Sequence, residues 1–299
     1  MRSRPRTLTL PARDGVPLEG DLFLPEGAPA GAVLVAGAMG VARRYYRPFA
    51  AHLAGRGLAA LTLDLRGMGG SRRGSLRGLD VTLHGWGELD LGGGLDALAR
   101  EVPGAPLLWV GHSAGGQLLG LLDPSPVCAA LLVGAQNGHW RHWRGWRRLA
   151  MAGLWWVGVP AAVAAFGHLP MRLAGQGEDV PAGVAREWAA WGRRREYIGA
   201  YAGARGGLGF ARWSGALRSI AVADDRYAPP ASVHALAAAY RAARVEVVDV
   251  TPASIGVRRV GHFGFFRPQF EEALWRPASD WLLARAGEAG AAPRSSRQG

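Results

Sequence analysis

Lysine is absent from this chain: all 35 basic residues are arginine, set against 23 acidic ones for a formal charge of +12. A charge of that sign ordinarily points to nucleic acid or an anionic membrane surface. The arginines are scattered, however, apart from short clusters at 43–44, 72–73, 147–148 and 193–195, and no nucleic-acid-binding motif accompanies them. With abundant alanine and glycine they make up the composition of a GC-rich coding sequence, so no nucleic-acid partner is expected. Cysteine is nearly missing as well. The single Cys128 sits in an apolar run, which excludes a disulfide framework and a cysteine metal cluster and fits a reducing, cytoplasmic compartment. The N-terminal stretch is positively charged but has no apolar segment after it, so no secretory signal is expected.

About half of the 299 residues are apolar, enough for a substantial core. Strand-like runs fall at 7–10, 17–25, 32–36, 58–63, 106–110, 128–133, 219–223 and 245–250, the first two as an opening hairpin. Helical patterns fall at 46–55, 87–100, 113–122, 231–242 and 269–284. This alternation predicts an α/β architecture: a mostly parallel central sheet of about eight strands with helices on both faces. The alternation lapses after the sixth strand. Residues 137–209 carry no strand pattern but hold seven of the 12 tryptophans, and are read as a helical cap inserted into a core formed by 1–136 and 210–285. Residues 286–299 are small and polar and are expected to be a disordered tail.

Within the cap, residues 149–166 run for 18 positions without a charge, the lower limit for a membrane span. Pro160 near the middle, Gly153 and Gly158, and a high alanine content argue against spanning. A buried or substrate-facing lid helix is expected, with peripheral membrane contact through the cap as the alternative.

The chemistry begins at Gly111-His112-Ser113-Ala114-Gly115, which follows an apolar strand directly and precedes an apolar helix directly. A serine on so tight a strand-to-helix turn needs small residues two positions away on either side, and its hydroxyl is left exposed as a nucleophile. In a chain with 45 glycines such a pattern also arises by chance, so the strand and helix on the correct sides carry the argument. The amide of Ala114 would be one oxyanion donor. The second is sought in the small-residue loop that ends the strand at 32–36, with Ala38 as first choice and Met39 as alternate.

At 63–71, Leu-Asp-Leu-Arg-Gly-Met-Gly-Gly-Ser resembles the D-x-R-G-x-G-x-S loop of many α/β-hydrolases, lipases and serine-aminopeptidase-like proteins among them. Asp64 and Arg66 are read as loop-stabilising. The resemblance implies an α/β-hydrolase fold with a triad in the order Ser, Asp, His. Family members usually show the acid four residues before a proline, which selects Asp225 ahead of Pro229, with Asp224 as the alternative. His262, between the last strand and the last long helix, is the candidate base; a neutral imidazole there could take the Ser113 proton and return it to the leaving group. The segments around 178–191, 224–230 and 261–267 resemble a bacterial group of uncharacterised hydrolases of this fold, over residues from about 5 to 285.

A tryptophan-rich cap suggests a lipophilic acyl or aromatic ester as the small-molecule substrate, with Trp140, Trp143, Trp155 and Trp156 as candidate contacts. Neither cofactor nor metal is expected, since Ser, His and Asp complete the chemistry; His139 and His142 lack supporting acidic or cysteine ligands. Three alternatives share the same residues: an acyltransferase, an aminopeptidase using Glu178 or Glu187 to hold an amine, and a binding protein without catalysis.

Overall fold

The computed structural model describes residues 4–123, 125–173, 175 and 177–291. Its strands are β1 (Arg6–Pro11), β2 (Pro17–Phe23), β3 (Gly31–Ala36), β4 (Leu58–Leu63), β5 (Leu107–His112), β6 (Val127–Val133), β7 (His168–Leu169), β8 (Val180–Pro181), β9 (Ala216–Val222) and β10 (Arg244–Val250). Eight of them form one sheet in the order β1-β2-β4-β3-β5-β6-β9-β10. The β1–β2 and β2–β4 pairs are antiparallel; every other neighbour in it is parallel.

In β3, β4 and β5 every position is buried, as expected of strands covered on both faces. Alternate side chains of β3 feed separate cores. Val33 and Val35 pack with Phe49 and Leu53 of the helix Arg47–Gly55 and with Trp275 and Leu282 near the C-terminus. Ala32, Leu34 and Ala36 face the opposite core, with Trp86, Leu95, Trp109 and Leu118. Trp155, Val159, Val163 and Val184, from the chain between β6 and β9, join this second core, so that segment rests on one particular face of the sheet.

Two expectations need correction. The last helix, Arg276–Ala291, takes in residues 286–291, which the sequence assigned to a disordered tail. Ala286 is 1% exposed and faces Gly31 at the start of β3, so a small residue gains burial where an apolar count saw none; residues 292–299 lie outside the described residues. The helix expected at 113–122 is a single α-turn, Ala114–Gln117, followed by the 3-10 turn Leu118–Leu121.

Strands β6 and β9 are neighbours in the sheet, so residues 134–215 leave its edge and come back to it. Within this excursion the chain is helical from Trp146 to Phe166, through a π-turn at Leu154–Gly158. The helices Ala182–Gly192, Ile198–Gly203 and Leu208–Arg212 follow. The two-residue antiparallel ladder β7–β8, too short to show as a sequence pattern, pins the far end of the long helix.

Candidate active site

Ser113 follows β5 with φ 51° and ψ −115°, one of three non-glycine residues at positive φ among those described. Such a conformation costs on the order of 1–3 kcal/mol and persists only where the surroundings impose it. Here the imposition is visible. A Cβ on Gly111 would strike the backbone of Gly116, and one on Gly115 would strike the carbonyl of Ala36. Ser113 N donates to the Val133 carbonyl at 3.0 Å, and the Ser113 carbonyl accepts from the Gly116 and Gln117 amides. The small residues demanded by the sequence pattern are therefore demanded by the turn after Ser113, which folds back tightly on β5 and on the end of β3.

His262, at the short turn Gly261–Gly264, places Nδ1 2.7 Å from Asp225 Oδ2. Asp225 is 5% exposed, and its other oxygen accepts the Tyr227 and Ala228 amides at 2.8 Å each. Three of the roughly four acceptor directions of this carboxylate are thus occupied, and its orientation is fixed. The neighbouring Asp224 does not face the imidazole: it accepts the amides of Val260 at 3.1 Å and Gly261 at 2.9 Å and so anchors the backbone that carries His262. Gly134, at φ +56°, closes the pair from the β6 side, where a Cβ would sit 3.2 Å from Asp225 Oδ2 and 3.3 Å from His262 Nδ1. Ser113 and His262 line one cavity, although Ser113 Oγ makes no hydrogen bond among the described residues.

The first-choice second oxyanion donor is overturned. Ala38 N donates to the hydroxyl oxygen of Tyr46 at 2.7 Å and is not free. Met39, the alternate, also lines the cavity, and neither its amide nor that of Ala114 has an acceptor among the described residues. Tyr46 was not singled out in the sequence; a tyrosine eight residues beyond a loop carries no signal that it folds back beneath it. The His262 carbonyl beside His112 Nε2 can only accept, so the neutral ring is protonated at Nε2 and Tyr46 donates to Nδ1, 2.8 Å away. The Nε2 proton is donated to the His262 carbonyl at 3.0 Å. Complete burial, reinforced by the nearby His262, holds the His112 pKa well below the usual imidazole value.

The cavity measures about 1400 Å³ and is larger than the roughly 300–1,000 Å³ typical of small-molecule pockets. Of the four tryptophans expected to contact substrate, Trp143 and Trp155 line it. Trp140 and Trp156 do not; they meet edge to face at 6.0 Å on the other side of the helix, where Trp156 is exposed. Trp146 and Trp188 line it instead, Trp188 against Trp155 at 4.4 Å. The reason is helical phase: adjacent residues 155 and 156 point about 100° apart, so they cannot share a wall.

Asp64 and Arg66 are structural in the way expected. Asp64 accepts the amides of Arg43 and Gly70 and is ion-paired with Arg43, while Arg66 bridges Asp90 at 2.6 Å and Asp14 at 2.7 Å. Burial pushes the Asp90 carboxyl up to about 6 against the opposing pull of Arg66. Glu187 lies outside the cavity wall, bonded to the amide and ring of His84. Glu178 does line the cavity, but it accepts the Gly69 amide at 2.6 Å and faces Arg44. The rings of His139 and His142 stand 6.2 Å apart, and among the described residues no three His, Cys, Asp or Glu side chains converge as a metal site.

Several solved structures share this arrangement of elements. Est1E of Butyrivibrio proteoclasticus, in its complex with ferulic acid, superposes with a TM-score of 0.62 at 14% identity, over 93% of this chain and 99% of its own. The Pyrococcus furiosus esterase Pf2001 gives 0.56 at 13% identity, over 96% and 93%. Puromycin hydrolase gives 0.59 at 17% identity over 96% of this chain, which spans only 39% of that protein's length. At such identities the likeness is one of fold. None of the curated proteins matches the chain in sequence. Residues 32–273, most of its length and all of the elements around Ser113, Asp225 and His262, match the alpha/beta hydrolase family, and the chain belongs to it.

Proposed function

We propose that this chain is a serine hydrolase acting on a carboxylic ester with a lipophilic acyl or aromatic group, through an acyl-enzyme. One observation carries the reading: Ser113, strained into an elbow, and the His262 imidazole, backed by Asp225, line the same large cavity under an apolar cap. Ser113 Oγ attacks the ester carbonyl while His262 Nε2 takes its proton, and Asp225 on Nδ1 holds the tautomer and steadies the imidazolium. The developing oxyanion turns to the Ala114 and Met39 amides, a preorganised pair in which each donor is worth about a hundredfold in rate or more. His262 then protonates the leaving alcohol, and water repeats the sequence to release the acid.

Met151, Leu154, Leu169, Trp155 and Trp188 in the wall favour an apolar acyl or aromatic group over a polar one. The aminopeptidase alternative needs a spare carboxylate to hold an amine; Glu178 is already committed to Gly69 and Arg44, and Glu187 to His84. An acyltransferase would use the same residues with an alcohol or thiol in place of water, and capture of the acyl group by an added acceptor separates the two.

Fluorophosphonate labelling of wild type, Ser113→Ala and His262→Ala tests the proposal. Labelling of the wild type, lost in both variants with circular dichroism unchanged, is expected. A folded wild type that takes no label would overturn the nucleophile assignment and favour a binding role.

A further inference from the structure

We infer that the outer face of the Trp146–Phe166 helix docks on an anionic lipid surface, lying in its interface beside the mouth of the cavity. At about 1.5 Å per residue this 21-residue rod is roughly 30 Å long. Its faces are distinct. Trp155, Val159 and Val163 are buried in the core, while Met151, Leu154 and Ala162 line the cavity. The remaining face has no partner. Leu149, Gly153, Val157 and Ala164 recur along it at helical spacing, with Leu149 72% and Val157 65% exposed, and Trp146, on the rim of the cavity, begins the same stripe. Mean hydropathy reaches 1.8 along the rod, yet only 17% of that stretch is buried. Monomeric proteins rarely leave so continuous an apolar face in water.

Charge selects the occupant. Residues 140–173 contain five arginines and no aspartate or glutamate. Arg141, Arg144, Arg147 and Arg148 cluster at the start of the rod, all exposed, and none is ion-paired with a described residue. Arg147 and Arg148 lie in the first turn of the helix, where the backbone dipole already places positive charge and where no acidic side chain offsets it. That local repulsion is relieved by an external anion. Arg147 over Trp146 at 5.7 Å and Arg141 over Trp140 at 5.1 Å are cation–π pairs suited to a headgroup boundary, with the ring toward the acyl chains and the guanidinium on phosphate.

The rod lies on the lipid and does not cross it. β6 before the cap and β9 after it are hydrogen-bonded neighbours, so the chain must return to the side it left, which a single crossing forbids. The rod is also held down from its middle onward, since Trp155, Val159 and Val163 are buried in the core and Trp155 is further fixed by Arg193, which donates twice to its carbonyl, and by its own Nε1 donating to the Gly138 carbonyl.

Vesicle flotation of the full chain tests the inference independently of catalysis, because Ser113→Ala protein should float as well as wild type. Wild type is expected to float with phosphatidylcholine–phosphatidylglycerol vesicles, much less with phosphatidylcholine alone, and less at high salt. The pair Leu149→Glu/Val157→Glu should cut partitioning at least about tenfold. Arg144→Ser/Arg148→Ser should cut binding to anionic vesicles by about fivefold per arginine and leave the weak binding to neutral ones unchanged. None of these four residues lines the cavity, so retained circular dichroism and turnover of a water-soluble ester report an intact protein. Wild type that stays with the soluble fraction, or glutamate variants that float like wild type, would overturn the inference. So would a lipid-free dimer that these variants dissociate, which would assign the face to a second copy of the chain.

Discussion

The hydroxyl of Tyr46 lies 2.8 Å from Nδ1 of His112 and donates to it, because the His262 carbonyl on the other side can only accept and so fixes His112 as the neutral Nε2–H tautomer. One buried chain of hydrogen bonds thereby runs from the loop after β3, through the residue before Ser113, to His262.

The neutrality of His112 has a pH signature. Its folded pKa lies well below 6.5, so under acid the unfolded chain takes up a proton that the folded chain refuses. The unfolded state binds more protons there, and stability falls as pH drops below about 6.5, by up to about 1.4 kcal/mol per pH unit from this group. His112→Gln keeps one donor and one acceptor without titrating. Urea denaturation between pH 5 and 8 should show its acid slope reduced by close to one proton, and equal slopes in both proteins would refute the buried neutral imidazole. Tyr46→Phe, which strands the Ala38 amide, should cost about 1–3 kcal/mol at any pH in that range.

Ser113 trades stability for position. At φ 51° the side chain is tolerated only because β3 and β6 crowd the elbow. Ser113→Gly removes the strain, worth about 1–3 kcal/mol, and gives back less than about 1 kcal/mol in unfolded-chain entropy. The variant should be inactive, and about 1 kcal/mol more stable by denaturant titration. Ser113→Ala keeps the strained backbone and should lose activity without that gain.

The adjacent aspartates should separate cleanly. Asp225→Asn leaves the shape of the site but removes the charge facing Nδ1, and the proposed chemistry predicts a loss in kcat approaching about 10⁴-fold. Asp224→Asn keeps one acceptor for the Val260 and Gly261 amides. A loss of about tenfold or less is expected, with melting temperature lowered more than for Asp225→Asn. Equal kinetic losses in the two variants would remove the distinction.

Much of this arrangement is legible before any coordinates, because it rests on local pattern. The eight strands of the large sheet announce themselves as apolar runs bounded by turn residues, and Gly111 and Gly115 mark an elbow because only glycine fits where the turn after Ser113 folds back on β5 and β3. What stays hidden depends on contacts across the fold. Nothing in the order of residues says that Tyr46 will occupy the Ala38 amide, or that Gly134 will press against the Asp225–His262 pair. Trp155 and Trp156 divide between cavity and outer surface by helical phase, which composition cannot express, and Trp143 and Trp140 divide likewise at the 3-10 turn before the helix. The helix through 286–291 escapes notice because alanine gives little apolar signal, although Ala286 is buried against β3.

The cavity's size makes the acyl-length preference a measurable property of its wall. Met151 lies in the helix that roofs the cavity, so Met151→Trp should fill part of the space without touching Ser113 or His262. Each methylene that loses its place in an apolar wall forfeits about 0.8 kcal/mol, close to fourfold in kcat/KM. Across a series of nitrophenyl esters the optimum should move to shorter acyl chains, with KM for the longest rising at least about tenfold and kcat for the shortest changing far less. A uniform fall at every chain length would mean that the acyl group lies elsewhere, and the large apolar cavity would then have to hold the leaving group.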